Sequence, residues 1–244
     1  MIRQNDASHT LREPKTASTA KQELPSVLPL HVDDPLSHLQ LFSGLRFLSN
    51  TSQLLHTEGT TLRRHHIKGV ASGILTFDIH MDVEQGKLTV DALQCTTSLW
   101  ARSGLSSFLK EASDQGDIHS ALYGISSYSV LALERASTFA IVQRRIRDQT
   151  DREEVTLQEQ LYWLGKPNIV LHPSKGIELV LSWDIEMTSI GDVESHVVAS
   201  TKVTDTWRRV DGDDSLKKLS PMFHKLVTHM GMEEAAILIH NVLS

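Results

Sequence analysis

Thirteen histidines and a single cysteine are the residues of this chain most able to hold a metal or act as base or nucleophile. A zinc site legible in sequence needs its ligands at fixed spacing, such as His-x-x-x-His on one helix face, His-Glu-x-x-His, or paired thiolates. None of these spacings occurs, one cysteine cannot build a thiolate site, and His65-His66 reads as a surface pair. Asp211-Gly212-Asp213-Asp214 opens like a calcium loop, but Met222 stands at the twelfth position, where a bidentate glutamate is required. That segment reads as a solvated turn, and the chain is expected to hold no metal and no cofactor.

Neither Gly104-Leu105-Ser106-Ser107 nor Gly124-Ile125-Ser126-Ser127 completes Gly-x-Ser-x-Gly, and both serine pairs fall in helix-like sequence, not after a strand. There is no glycine pattern for a phosphate or dinucleotide loop. Cys95 ends a strand-like stretch without the basic neighbours that would lower its pKa, so it reads as a structural thiol. No catalytic residue is assigned, and the expectation is a binding scaffold, not an enzyme.

The elements that would carry such a scaffold are written twice. Phe77-Asp78-Ile79-His80-Met81 recurs as Trp183-Asp184-Ile185-Glu186-Met187. In the first copy Leu75, Phe77, Ile79, Met81 and Val83 alternate with Thr76, Asp78, His80, Asp82 and Glu84; in the second, Ile177, Leu179, Leu181, Trp183, Ile185 and Met187 alternate with polar residues that include Glu178, Ser182, Asp184 and Glu186. Strict period two is the pattern of a half-buried strand. Each copy is followed by a returning strand, Leu88 to Cys95 and Val193 to Val203, and then by helix-like sequence. Each copy is therefore expected to be an α+β unit, an antiparallel sheet packed against helices.

The rest of the chain falls around these hairpins. Residues 1–30 are polar and proline-containing and are expected to be a disordered tail; Pro35 opens a short helix ending at Ser43-Gly44. Strands are expected from Leu45 to about Leu54, from Leu62 to Val70, and from Asn168 to His172. Ser103 is the expected N-cap of a short helix with Leu105, Phe108 and Leu109, and a long helix runs from Ile118 to Arg147. Charged residues from Asp148 to Glu154 mark a junction, giving a first domain at 31–150 and a second at 151–244. Ser220-Pro221 starts a helix with Met222, Phe223, Leu226, Val227 and Met230 inward, stopped by Gly231. Glu233 and Glu234 open the last helix, with Ala236, Ile239, Val242 and Leu243 on its apolar side.

The long helix is apolar around most of its circumference, which requires cover on more than one side. Either the second domain or a different polypeptide supplies it. Tyr123, Tyr128, Leu131 and Phe139 are the residues expected to meet a partner if the cover is a second chain.

Composition limits the class. With 244 residues, 22% charged and 40% hydrophobic, the chain is ordinary for one large or two small globular domains. It has no apolar run of transmembrane length and its start lacks the apolar core of a secretory signal, while one cysteine permits no intramolecular disulfide and fits a reducing compartment. The net charge of −6 argues against a chain built to grip phosphate backbones. Arg63-Arg64-His65-His66, Arg144-Arg145-Arg147 and Arg208-Arg209 are local basic spots without interleaved aromatics, expected to be solvated.

Several segments resemble one family. Leu39-Gln40-Leu41-Phe42-Ser43-Gly44-Leu45-Arg46-Phe47-Leu48-Ser49, the Ser103-to-Leu109 helix with the long helix after it, Gly176-to-Ile185, and the stretches Leu219-to-Phe223 and Gly231-to-Ala236 are similar to the centromere protein P family of the inner kinetochore, over about Leu36 to Leu243. The resemblance implies tandem RWD domains, relatives of ubiquitin-conjugating enzymes without the active-site cysteine; Cys95 has no His-Pro-Asn ahead of it. It implies a non-catalytic subunit in the nucleus, at the centromere. Such a subunit pairs with a centromere protein O-like partner and docks subunits like centromere proteins Q and U, with chromatin reached through protein contacts and no membrane or small-molecule substrate. Family members often carry an N-terminal coiled coil, for which residues 1–30 show no heptads. The alternatives are an RWD-type adaptor of ubiquitin or stress-kinase signalling and an uncharacterised cytosolic enzyme.

Overall fold

A computed structural model describes residues 44–57, 60–84, 86–87, 89–148, 155–188, 191–211 and 215–244. The polar tail, the helix expected after Pro35 and residues 149–154 of the charged junction lie outside them. The described residues all belong to one compact unit, Leu36–Ser244.

The chain is mixed α and β, with every strand pair antiparallel. Strands β1 (Leu45–Thr57), β2 (Thr60–Ala71), β3 (Leu75–Glu84) and β4 (Thr89–Thr97) form one sheet in the order 1-2-3-4, and β5 (Asn168–Ser174), β6 (Ile177–Met187) and β7 (Val193–Val203) form a second in the order 5-6-7. Each sheet connects neighbours in sequence, as alternating strands joined by short turns do. Alternation sets which face is covered: Leu75, Phe77 and Ile79 of β3, and Ile177, Leu179, Leu181, Trp183 and Ile185 of β6, are buried. The β2–β3 turn puts Ser72 at φ 48°, a left-handed conformation costly for a residue with a Cβ. Its hydroxyl is hydrogen-bonded at 2.8 Å to that of Ser129, a fully buried serine of the long helix.

Between the sheets in sequence come α1 (Arg102–Gln115), α2 (Ile118–Asp148) and α3 (Leu157–Trp163). Ser103 does not cap α1. A 3₁₀ turn at Leu99–Ala101 runs straight into the helix, so its carbonyls take the first amides and no side-chain cap is formed. Asp117 caps α2 instead, accepting from the Ser120 amide at 3.0 Å and its hydroxyl at 2.6 Å. The seven-residue helix α3, about two turns long, is started by a reciprocal capping box between Thr156 and Glu159.

After β7 follow a short α4 (Asp205–Val210), a 3₁₀ turn and α5 (Leu219–Leu243), which is broken at Gly231, where φ is 84°. The break falls where the glycine stop was expected. Phe223, Met232, Ala235, Ala236 and Ile239 face inward, while Met222, Met230 and Val242, expected inside, are exposed. Met222 is one residue, about 100° of helix, off the Phe223 meridian, and Met230 stands at the break itself.

The long helix α2 has 31 residues, about 46 Å of helix. It packs against α1, α3, α5 and both sheets, so the chain's own elements supply most of its cover. Close approach needs small residues. A Cβ on Gly124 would stand 2.2 Å from Phe108 of α1, and one on Gly104 would stand 2.6 Å from Tyr128. Ala121, Ala132, Ala136 and Ala140 continue the buried side.

Candidate functional site

The polar faces left open by this packing are where function can lie, and the first sheet has the denser one. In the β2–β3 register His66 lies opposite His80, Lys68 opposite Asp78, and Arg64 opposite Asp82. Directly paired residues in an antiparallel sheet project from the same face, so these six side chains form one patch. His66 Nε2 is 2.7 Å and His80 Nε2 is 3.3 Å from the same Asp78 oxygen, and the two rings stack with centroids 4.0 Å apart. Lys68 Nζ reaches the other Asp78 oxygen at 3.3 Å. Partial burial works to raise the Asp78 pKa, but hydrogen bonds from His66 and Lys68 outweigh it and hold the carboxyl below its ordinary value. Arg64 donates two hydrogen bonds to Asp82, at 2.8 and 2.7 Å, and these push the Asp82 pKa down.

Metal-ligand spacings readable in sequence run along one segment, whereas this ligand set assembles across two strands. The signals available were Asp78-x-His80, which a strand places on one face, and a histidine on the preceding alternating stretch; the register that joins them is not written locally. Two imidazoles and a carboxylate are ligands suited to a divalent ion of the zinc class.

No protein-family model and no curated protein matches this chain.

The four residues expected to meet a partner are not brought together on a surface. Tyr128 and Phe139 lie in the chain's own core, Phe139 against Trp163 and Trp183 with ring centroids 5.6 and 6.3 Å away. Leu131 is half-buried. Tyr123 is 53% exposed, its hydroxyl donating to Asp192 at 3.2 Å. Val130, seven residues on and 56% exposed, shares its side of the helix.

A buried charge went unread in the sequence. Arg135 sits inside the apolar run of α2, 4% exposed, and donates to the Trp183 carbonyl at 3.0 Å. It thereby ties the long helix to the second copy of the repeated pentapeptide. Burial pushes its pKa down, with the neighbouring Tyr128 working against that shift. In the basic spot on α2, Arg144 bonds Glu159, and Arg145 reaches Glu233 and Glu234 at 2.7 Å each, pinning α2 to α3 and α5.

Cys95 is partly buried, and burial pushes its thiol up to about 11, so it is protonated at neutral pH. Ser106, Ser107, Ser126 and Ser127 lie on α1 and α2, with no strand-to-helix elbow at either pair. No helix of the described residues is long and apolar enough to cross a membrane.

Proposed function

We propose that this chain is a non-catalytic structural subunit of the inner kinetochore, of the centromere protein P type, that forms a heterodimer with a centromere protein O-like subunit. The observation that carries the reading is the doubled architecture: two antiparallel meanders, each with the repeated pentapeptide on the strand before the return strand and each packed on helices. Tandem RWD domains have this organisation, and the segments quoted above that resemble the family span both halves. Recruitment of subunits like centromere proteins Q and U, and contact with centromeric chromatin through proteins, belong to the same reading.

Of the four residues expected at a partner contact on the long helix, burial leaves exposed Tyr123 and half-buried Leu131, with exposed Val130 beside them, because Tyr128 and Phe139 have no surface left to offer. Aromatic anchors ringed by less important contacts are the usual centre of such interfaces. Coexpression with centromere protein O, followed by gel filtration, is the test. A one-to-one complex supports the reading, and Tyr123→Asp with Val130→Asp should weaken it more than tenfold without unfolding the chain. A chain that remains alone in the presence of folded centromere protein O overturns it; a complex that ignores both substitutions moves the interface off this helix.

A further inference from the structure

The stacked histidines on the first sheet are oriented in a way that plain surface polarity does not require. His66 Nε2 is hydrogen-bonded to one Asp78 oxygen and His80 Nε2 stands 3.3 Å from that same oxygen, and the ligand atoms of His66, Asp78 and His80 all lie within 4.8 Å of one another. We propose that these three residues bind one divalent ion of the zinc class, with water completing its coordination.

Geometry supports three-point binding. Zinc–ligand distances of 2.0–2.1 Å place tetrahedral ligand atoms about 3.3 Å apart. The His80–Asp78 edge already has that length at 3.3 Å, and the His66–Asp78 edge of 2.7 Å must open by roughly half an ångström on the same geometry. These side chains are one-third to one-half exposed, so small rotations suffice and solvent can reach the ion. The backbone needs no change, because the His66–His80 pairing is fixed by a ladder running from Leu62↔Glu84 to Ala71↔Leu75. Each neutral imidazole binds through its Nε2 lone pair, with the ring proton on Nδ1. A proton now on Nε2 is released to water, and Nδ1 takes one up, so neutral rings exchange no net proton. No redox step is involved.

The surroundings set the strength. Lys68, on the far oxygen of Asp78, opposes a dication, while Asp82 offsets the charge of Arg64. With three protein ligands and a neighbouring cation, affinity in the micromolar range is expected. The second sheet is the internal control: its pentapeptide has Glu186 where the first has His80, and Asp184 lies beyond the last β5–β6 pair, Asn168↔Ser182.

The experiment uses the full chain, stripped with a chelator and titrated with zinc against a chromogenic competitor. Wild type should take up zinc at a site that His66→Gln and His80→Gln each weaken by at least tenfold, that Lys68→Gln tightens, and that His65→Gln and His196→Gln leave unchanged. Zinc should also raise the Tm of wild type but not of His66→Gln, which reports folding and binding together. Absence of uptake at several hundred micromolar zinc, or equal uptake by the His66 and His80 variants, would overturn the site.

Discussion

Phe77-Asp78-Ile79-His80 in β3 and Trp183-Asp184-Ile185-Glu186 in β6 bury their first and third residues and turn the second and fourth outward. Inside, the two copies do the same work with different volumes. Outside they part. In the first sheet His80 meets His66 across the strand and both meet Asp78; in the second, Glu186 and Glu194 stand 4.0 and 3.7 Å from His196, all three more than half exposed. The inner half of the pattern is dictated by packing, and the outer half by what the adjacent strand offers. Chemistry can therefore differ between copies whose inner residues are buried in the same pattern.

The largest effect should come from breaking the shared inner half. Ile79 and Leu181 are fully buried at matching depths, so Ile79→Asp or Leu181→Asp places an unpaired charge where desolvation costs several kcal/mol. Domains are held by about 5 to 15 kcal/mol, so either change should abolish cooperative unfolding and expose the chain to protease. Because α2 packs on both sheets, each substitution should remove the signal of both halves. Glu178→Lys, on the outer side of β6, should leave circular dichroism and protease resistance unchanged. A resistant Leu181→Asp would mean the inner and outer faces are assigned the wrong way round.

A smaller effect is expected at the tie between the halves. Arg135 donates a hydrogen bond to the Trp183 carbonyl and lies beside the Tyr128 side chain, while its Nε has no partner. Arg135→Ala should cost about 2 kcal/mol, from a lost charged hydrogen bond and a cavity. Arg135→Met fills the space without a charge to desolvate, and a buried charge replaced by a hydrophobe is often neutral or stabilising, so it should cost less. Urea midpoints at constant m-value give the comparison. Equal losses would show that the hydrogen bond, and not packing, carries the tie.

Both hairpins, the long helix and the glycine break in α5 were legible because each rests on a local pattern: period two, an apolar run, a residue that tolerates positive φ. The cap of α3 was legible too, as Thr156-x-x-Glu159, but a seven-residue helix carries too little periodicity to draw attention to it. The burial of Tyr128 and Phe139 within the chain is not legible locally, since apolar residues look alike whether their cover comes from a partner or from the same chain. Arg135 left a trace, a charge amid Ala132, Ala136 and Phe139, yet its partner lies 48 residues away. The His66–Asp78–His80 cluster needed the β2–β3 register, which a change of one residue would have dispersed to the other face.

The smallest effect concerns acid, and it separates the ion pairs of the first outer face from the folding core. Asp82 is held below its ordinary value of 3.8 by the Arg64 hydrogen bonds, against a weaker opposing effect of burial. A depressed carboxyl contributes stability that is fully present above its unfolded pKa and is lost as the pH falls through its folded one. The loss therefore occurs below pH 3.8, and Asp82→Asn should flatten that part of the stability curve while changing little at neutral pH. Arg64→Gln should flatten the same part, because it removes the cause of the shift. Arg64 is nearly half exposed, so salt screens the pair and the flattening should shrink at high ionic strength. If the two variants keep the wild-type acid limb at low salt, the Arg64–Asp82 pair contributes nothing to stability.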